Sequence, residues 1–405
     1  YCRYCLDEMK KHGLDPYDKV VHEKFNRQSL IRFMKETKEM IEKTKPGLSV
    51  FFNGTQQVGA RDFAPYNDRF EVESLAYGWG FLHMEFFLRF LRTLGRPVAG
   101  MTGRFHKVWG DFGTLPSEIQ LKYECATMLA NGATCMIGDH LHPDGKLDLA
   151  AYERIGRVYE FVQEREEWSF AAESVPYVAI MAEERNGGLV FEQPTHGSFG
   201  ATKVMLESQF HFDIIDQFAD LSKYKIIIIP DNEGLLPENV NRLKEFVSSG
   251  GTMVTTHPAS LRETNFALAD VIGVDYESLS PYDVGYVRIT HDGLGQDLPK
   301  MDLVVHDRFA LVRRREGTEE LAKLIHPITY SEHYYKHQAP PSREESGYSA
   351  AVRHSYGRGT SIYFAAPLFR SYLETRNPVC RQLVENAMRL IVPEEDRILV
   401  VDAPR

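Results

Sequence analysis

The chain has 405 residues, 43% of them hydrophobic and 26% charged, with a net charge of −10. That length provides for two or three domains with real apolar cores. The acidic balance, without a Lys/Arg-rich block, excludes a nucleic-acid or anionic-membrane surface and fits a neutral or polar substrate, and no apolar run of ~18 residues reads as a membrane span.

The first region alternates helix and strand. Ser29–Lys45 carries apolar residues at helical spacing, with Ser29 as N-cap and Pro46-Gly47 as its stop. Leu48–Asn53 reads as a buried strand, Arg69–Ser74 as the next, then an apolar helix over Phe81–Leu94 closed by Gly95. Pro97–Phe105 is a third strand, Ser117–Ala130 a helix, Ala133–Asp139 a fourth strand and Leu149–Trp168 a last helix. Four βα units in succession predict parallel strands covered by helices. No Gly-rich phosphate loop follows any of them, which speaks against a dinucleotide cofactor; no cofactor is expected.

What recurs is a polar and aromatic cluster past each strand end. These are Asn53, then Glu73 and Ser74, then His106, Trp109 and Asp111, then Asp139, His140 and His142. In a (β/α)8 barrel that rim is where active sites are built. Four units cannot close a barrel, so residues 1–168 are expected to be strands 5–8 of one, in a chain that continues ahead of Tyr1.

Glu71 and Glu73 alternate with Val72, so both carboxylates face one side of the strand. An inward carboxylate is costly unless paired or used. Glu73, nearer the rim, is the candidate acid/base, and Glu71 a group that tunes it or holds a hydroxyl; a salt bridge is the other reading. Asp139 is either the second carboxylate of a glycosidase pair or a cap for the turn before Pro143. An aromatic ring beside His and Asp, as in His106–Asp111, suits the apolar face and hydroxyls of a sugar. Asn53, Glu71, His140 and His142 complete the expected substrate contacts.

The strings FEVESLAYGWGFLH, GMTGRFHKVWGDFG and YECATMLANGATCMIGDHLHPDGKLD resemble glycoside hydrolase barrels that carry a β-galactosidase-type trimerisation domain, a group that includes the α-L-fucosidases of glycoside hydrolase family 151. The opening YCRYCLDEMKKHGLDPYD resembles the segment after their fourth strand. The resemblance implies a retaining exo-glycosidase whose nucleophilic Asp ends a strand just before Tyr1. It therefore implies that residues 1–405 alone are inactive, and it leaves the individual roles of Glu73, Asp139 and the His106–Asp111 cluster unassigned.

After Trp168 a second βα series begins. Tyr177–Ala182, Phe212–Ile215, Tyr224–Pro230, Thr252–Thr256 and Arg358–Ala366 read as strands. Phe199–Ser208, Pro237–Ser249 and Pro378–Ile391 read as helices. The apolar run Tyr224–Pro230 suits a strand buried on both faces, and Pro237 with Gly250-Gly251 gives a sound helix start and stop. Residues 175–395 are expected to form a doubly wound flavodoxin-like sheet. It resembles the class I glutamine-amidotransferase fold used for trimerisation in family 42 β-galactosidases. Where an amidotransferase has its nucleophilic Cys this chain has Thr255-Thr256-His257-Pro258, so that chemistry is not expected and His257 reads as structural. Tyr330–His337 is expected to face either a neighbouring subunit or the barrel mouth, and residues 396–405 to begin a further C-terminal segment.

Cys2, Cys5, Cys125, Cys135 and Cys380 are too few and too uneven for a disulfide framework. Cys2 and Cys5 have the spacing of half a zinc site but no second pair, so they read as thiols. No leader is visible and a cytoplasmic location is expected, although a chain that opens at Tyr1 leaves room for one upstream. Three functions follow: an exo-glycosidase of fucosidase or galactosidase type acting as a homo-oligomer (trimer or dimer), a non-catalytic carbohydrate-binding or assembly protein, and a metal-dependent hydrolase using Asp139, His140 and His142.

Overall fold

A computed structural model describes residues 2–169, 171–183, 194–231, 234–329 and 339–392. One compact unit ends at Ser174 and a second begins at Val175. Tyr330–His337 and residues 396–405 lie outside the described residues.

The first unit holds a three-stranded parallel sheet in the order β1 (Phe70–Glu73), β2 (Val98–Gly103), β3 (Thr134–Gly138). Three of the four expected strands are thus present. Leu48–Asn53 is not one of them, and the reason lies in side chains. Val50 N–H donates to the Asp68 carboxylate and Phe52 N–H to Asn67, at 2.8 Å each. Asp68 N–H in turn donates to the Val50 carbonyl. These loop groups take the hydrogen bonds that a neighbouring strand would otherwise have made. Lys38 sits on the Asp68 carboxylate and holds it below its usual range.

The long helix after the opening turn runs Lys19–Thr44, starting ten residues ahead of Ser29. Asp18 caps it, accepting from Val20 and Val21 N–H, so Ser29 is an interior residue. The helix Phe81–Leu91 buries His83, Met84, Phe86, Phe87, Leu88, Phe90 and Leu91. A helix apolar on nearly every side is a core element, and it packs on β1, β2 and the helix Glu118–Ala130. That second helix is capped by Ser117 as expected. With the helix Leu149–Gln163 it encloses Leu121, Cys125, Val158 and Val162, against which Cys135 and Ile137 of β3 pack. Such a core fixes the carboxyl ends of all three strands, where the polar residues gather.

The second unit has a nine-stranded sheet. Its parallel part is β5 (Phe212–Ile215), β4 (Val178–Met181), β6 (Ile226–Ile229), β7 (Thr252–Thr256) and β14 (Gly359–Phe364), neighbours in that order. Numbered along the chain among themselves, these strands run 2-1-3-4-5. All four residues of β4, β5 and β6 are buried, as a parallel strand covered on both faces requires.

Beyond β14 the sheet continues antiparallel through β13 (Ser349–Tyr356), β12 (Glu319–Ile325), β9 (Gly285–Ile289) and β10 (Leu303–Val305). β8 (Val274–Leu279) and β11 (Ala310–Arg314) form a separate ribbon. Of these, only β14 is among the expected strands. His257 is buried against Tyr276 with parallel rings at 6.3 Å, and burial lowers its pKa to about 4. Its Nδ1 has no partner among the described residues.

Candidate active site

Glu73 ends β1, level with Met101 of β2. Its neighbours along the inner face are Arg69 and Glu71, while Phe70 and Val72 on the opposite face are fully buried. The alternation anticipated from the sequence is therefore present. Glu71 is buried, with Oε2 3.8 Å from Arg69 and without a hydrogen bond among the described residues, and burial raises its pKa. Glu73 is half-buried.

Its backbone is gripped by a residue the sequence did not single out. The fully buried Gln56 amide donates to the Glu73 carbonyl and accepts from the Glu73 N–H, each at 2.6 Å. One step along, Ser74 Oγ contacts His83 Nδ1 at 3.0 Å, and His83 stacks on Trp79 with ring centroids 4.9 Å apart. Burial keeps His83 neutral, its pKa lowered to about 4. The short helix Ala76–Trp79 follows directly and carries Tyr77.

The end of β2 contributes the loop 104–114. Asp111 accepts from Lys107 N–H at 3.2 Å and from the Thr114 hydroxyl at 2.9 Å, so it holds the loop closed. Trp109 lies across the strand ends, its ring in contact with Phe105 at 5.2 Å. A Cβ on Gly138 would stand 2.6 Å from that ring, and one on Gly103 3.5 Å from it. The two glycines thus let the edge of the indole come close to the strand backbone. His106 is exposed, and so is Asn53, whose Oδ1 accepts from Gly54 N–H at 2.8 Å.

Asp139 has a different environment from Glu73. It accepts from Arg104 Nε at 2.7 Å and from His140 N–H at 2.7 Å. Arg104 is itself buried, also faces Asp148 at 3.6 Å, and lies over the Phe105 and Phe112 rings. A guanidinium enclosed in this way needs its carboxylates. Asp139 is thus an ion-pair partner of Arg104 that also accepts from the N–H of the next residue. His140 and His142 are exposed and pack on Phe112, at 5.8 and 4.4 Å.

With Asp139 on Arg104 and both imidazoles on Phe112, these three do not converge on an ion, and no group of three or more metal-ligating side chains is found among the described residues. By strand register, Asp139 lies two strands across and three residues beyond the level of Glu73. That places their Cα atoms roughly 14 Å apart, with the Asp139 carboxylate already taken by Arg104.

Two clusters therefore stand at the rim. One gathers Glu73, Tyr77 and Asp111: burial raises the Tyr77 pKa, and the charges of the two carboxylates nearby add to it. The other is an aromatic floor of Trp109, Phe105 and Phe112 bound to the Arg104–Asp139 pair. Arg104 gave no signal in the sequence beyond its place at a strand end, 35 residues from its partner.

Comparison with known proteins adds the following. Residues 203–284, from the helix His196–Glu207 to the turn before β9, match the β-galactosidase trimerisation domain. The structure of α-L-fucosidase isoenzyme 2 from Paenibacillus thiaminolyticus is similar over 98% of this chain and 60% of its own, at 31% identity and a TM-score of 0.87. A β-galactosidase from Bacillus circulans shares the fold over 91% of this chain and 58% of its own, at 17% identity and a TM-score of 0.64. β-Galactosidase Pbg from Clostridium perfringens is 28% identical over 165 residues, 38% of this chain and 21% of that protein. The chain thus spans about three fifths of the length of the two structures and a fifth of the curated relative.

Proposed function

We propose that this chain, which carries a β-galactosidase-type trimerisation domain and is similar along nearly all its length to an α-L-fucosidase, belongs to a retaining exo-glycosidase that acts on terminal α-L-fucosides. The observation that carries the choice of sugar is the 31% identity to the fucosidase over 98% of the chain, against 17% for the galactosidase structure. The second reading, a β-galactosidase, draws on the curated relative from Clostridium perfringens.

In this reading Glu73 is the acid/base. It protonates the leaving oxygen, then takes a proton from the attacking water. Its half-buried carboxylate pairs with no arginine among the described residues, and its backbone is held on both sides by Gln56. Asp139 acts as a positioning residue that anchors Arg104 under the aromatic floor, and Trp109 offers its exposed ring to the sugar's C–H face. His106, His140 and His142 supply polar edges around it. The second carboxylate would come from a segment outside these residues. We read the 2-1-3-4-5 parallel order of the second unit as a flavodoxin-like, amidotransferase-derived sheet serving assembly, and the protein as a homo-oligomer.

The test uses the full-length protein and its Glu73→Gln variant on aryl fucosides and galactosides. The reading expects turnover of the fucoside and a fall of at least about 100-fold in kcat for the variant. Turnover by both proteins at similar rates would remove Glu73 from the chemistry. Preference for the galactoside would move the sugar to the second reading.

A further inference from the structure

The Tyr77 hydroxyl is buried and has no hydrogen-bond partner among the described residues. A buried phenol normally finds one, because leaving a polar group dry and unpaired is unfavourable. The residue is not loosely held. Gly78 and Trp79 N–H both donate to the Leu75 carbonyl, and Gly80 N–H to that of Ala76. Trp79 stacks on His83, which contacts Ser74. The elbow that carries Tyr77 is therefore pinned on both sides, while its hydroxyl meets no acceptor among the described residues.

Two carboxylates lie within electrostatic reach of that hydroxyl, Glu73 at the end of β1 and Asp111 in the loop after β2. Neither accepts its proton. Carboxylates only accept, and a phenol facing them offers one donor. The group that completes this set accepts from the phenol and donates to a carboxylate, as an aliphatic hydroxyl does.

We propose that Tyr77 is a substrate-binding residue that donates a hydrogen bond to one ring hydroxyl of the sugar, with Asp111 accepting that hydroxyl's own proton and Glu73 kept for the leaving oxygen. This rests on the glycosidase reading of the rim and adds a residue to it. The loop segment 104–114 and the Ala76–Trp79 elbow then act as two jaws on one hydroxyl.

The experiment compares full-length wild type with Tyr77→Phe on the preferred aryl glycoside and on its monodeoxy analogues, alongside thermal unfolding of both proteins. The expected result is a loss of about 10- to 100-fold in kcat/KM for Tyr77→Phe on the parent sugar. The same loss should appear when wild type meets one particular deoxy analogue, and Tyr77→Phe should lose nothing further on that analogue. Its melting temperature should match or exceed that of wild type, because the substitution removes an unpaired buried oxygen. A melting temperature clearly below wild type, or an equal loss on every analogue, would make Tyr77 a structural residue. Unchanged kinetics on the parent sugar would overturn the proposal while leaving the glycosidase reading in place. If wild type neither cleaves the glycosides nor binds the free sugars in a calorimeter, both fall together.

Discussion

At the end of β1, Gln56 does for Glu73 what a neighbouring strand would do. It satisfies the backbone donor and acceptor of the one residue whose aim matters most. Gln56→Leu keeps the volume but leaves both Glu73 backbone groups unpaired in a dry setting, at a cost of about 2–4 kcal/mol. We expect urea unfolding to show that loss and kcat to fall with KM little changed. A variant as stable as wild type would mean that water replaces the amide.

The alternation Glu71-Val72-Glu73 was legible in the sequence because a strand has a fixed period of two. The roles of Gln56 and Arg104 were not. Each depends on a loop folding back over 17 or 35 residues, and neither pairing leaves a periodic trace. Asp139 was open between two readings in the sequence, and the ion pair with Arg104 is what separates it from Glu73.

Among the elements, those with start and stop chemistry of their own matched the sequence closely. The helices Glu118–Ala130 and Pro237–Ser248 begin at Ser117 and Pro237, as read. The Lys19–Thr44 helix was misplaced at its start because Ser29 looks like a cap, while Asp18 is the residue that accepts from the first turn. Leu48–Asn53 has the composition of a strand and lost that role to the side chains of Asn67 and Asp68.

The antiparallel strands between Val274 and Tyr356 escaped because their apolar positions are short and interrupted, as in Glu319–Ile325, whose register with β13 shifts twice. In the second unit, the helices His196–Glu207 and Leu368–Thr375 touch through Gly200, where a Cβ would stand 2.0 Å from the Phe369 carbonyl oxygen. Gly200→Ala is expected to destabilise the second unit by about 1–3 kcal/mol. Denaturant unfolding followed by far-UV circular dichroism measures it, and a variant within error of wild type would show that the two helices can separate freely.

For the whole molecule, buried ionisable groups set the pH response. His83 and His257 each have a pKa lowered to about 4 by burial. The unfolded chain takes up their protons first, so their stability is present above pH 6.5 and is lost as pH falls toward 4. Each is worth roughly 3 kcal/mol across that window.

Asp231, half-buried just past the end of β6, runs the other way. Its pKa is raised to about 7, so its contribution is present below pH 3.8 and lost as pH rises through 7. The cleanest readout is His83→Phe, which cannot titrate. The stability gap between wild type and this variant should shrink by roughly 3 kcal/mol from pH 7 to pH 4. A gap that stays constant would mean that His83 remains neutral in neither state or both.

The central claim is that Glu73 donates the proton to the departing oxygen, and leaving-group dependence tests it most directly. We would measure kcat/KM of full-length wild type and Glu73→Gln on aryl fucosides whose phenols span a wide range of acidity. The account predicts a variant nearly as active as wild type on the most acidic phenol and progressively slower as the phenol becomes more basic, because only poor leaving groups need the acid. A variant slowed by the same factor across the series would contradict it and assign Glu73 a role other than proton donor.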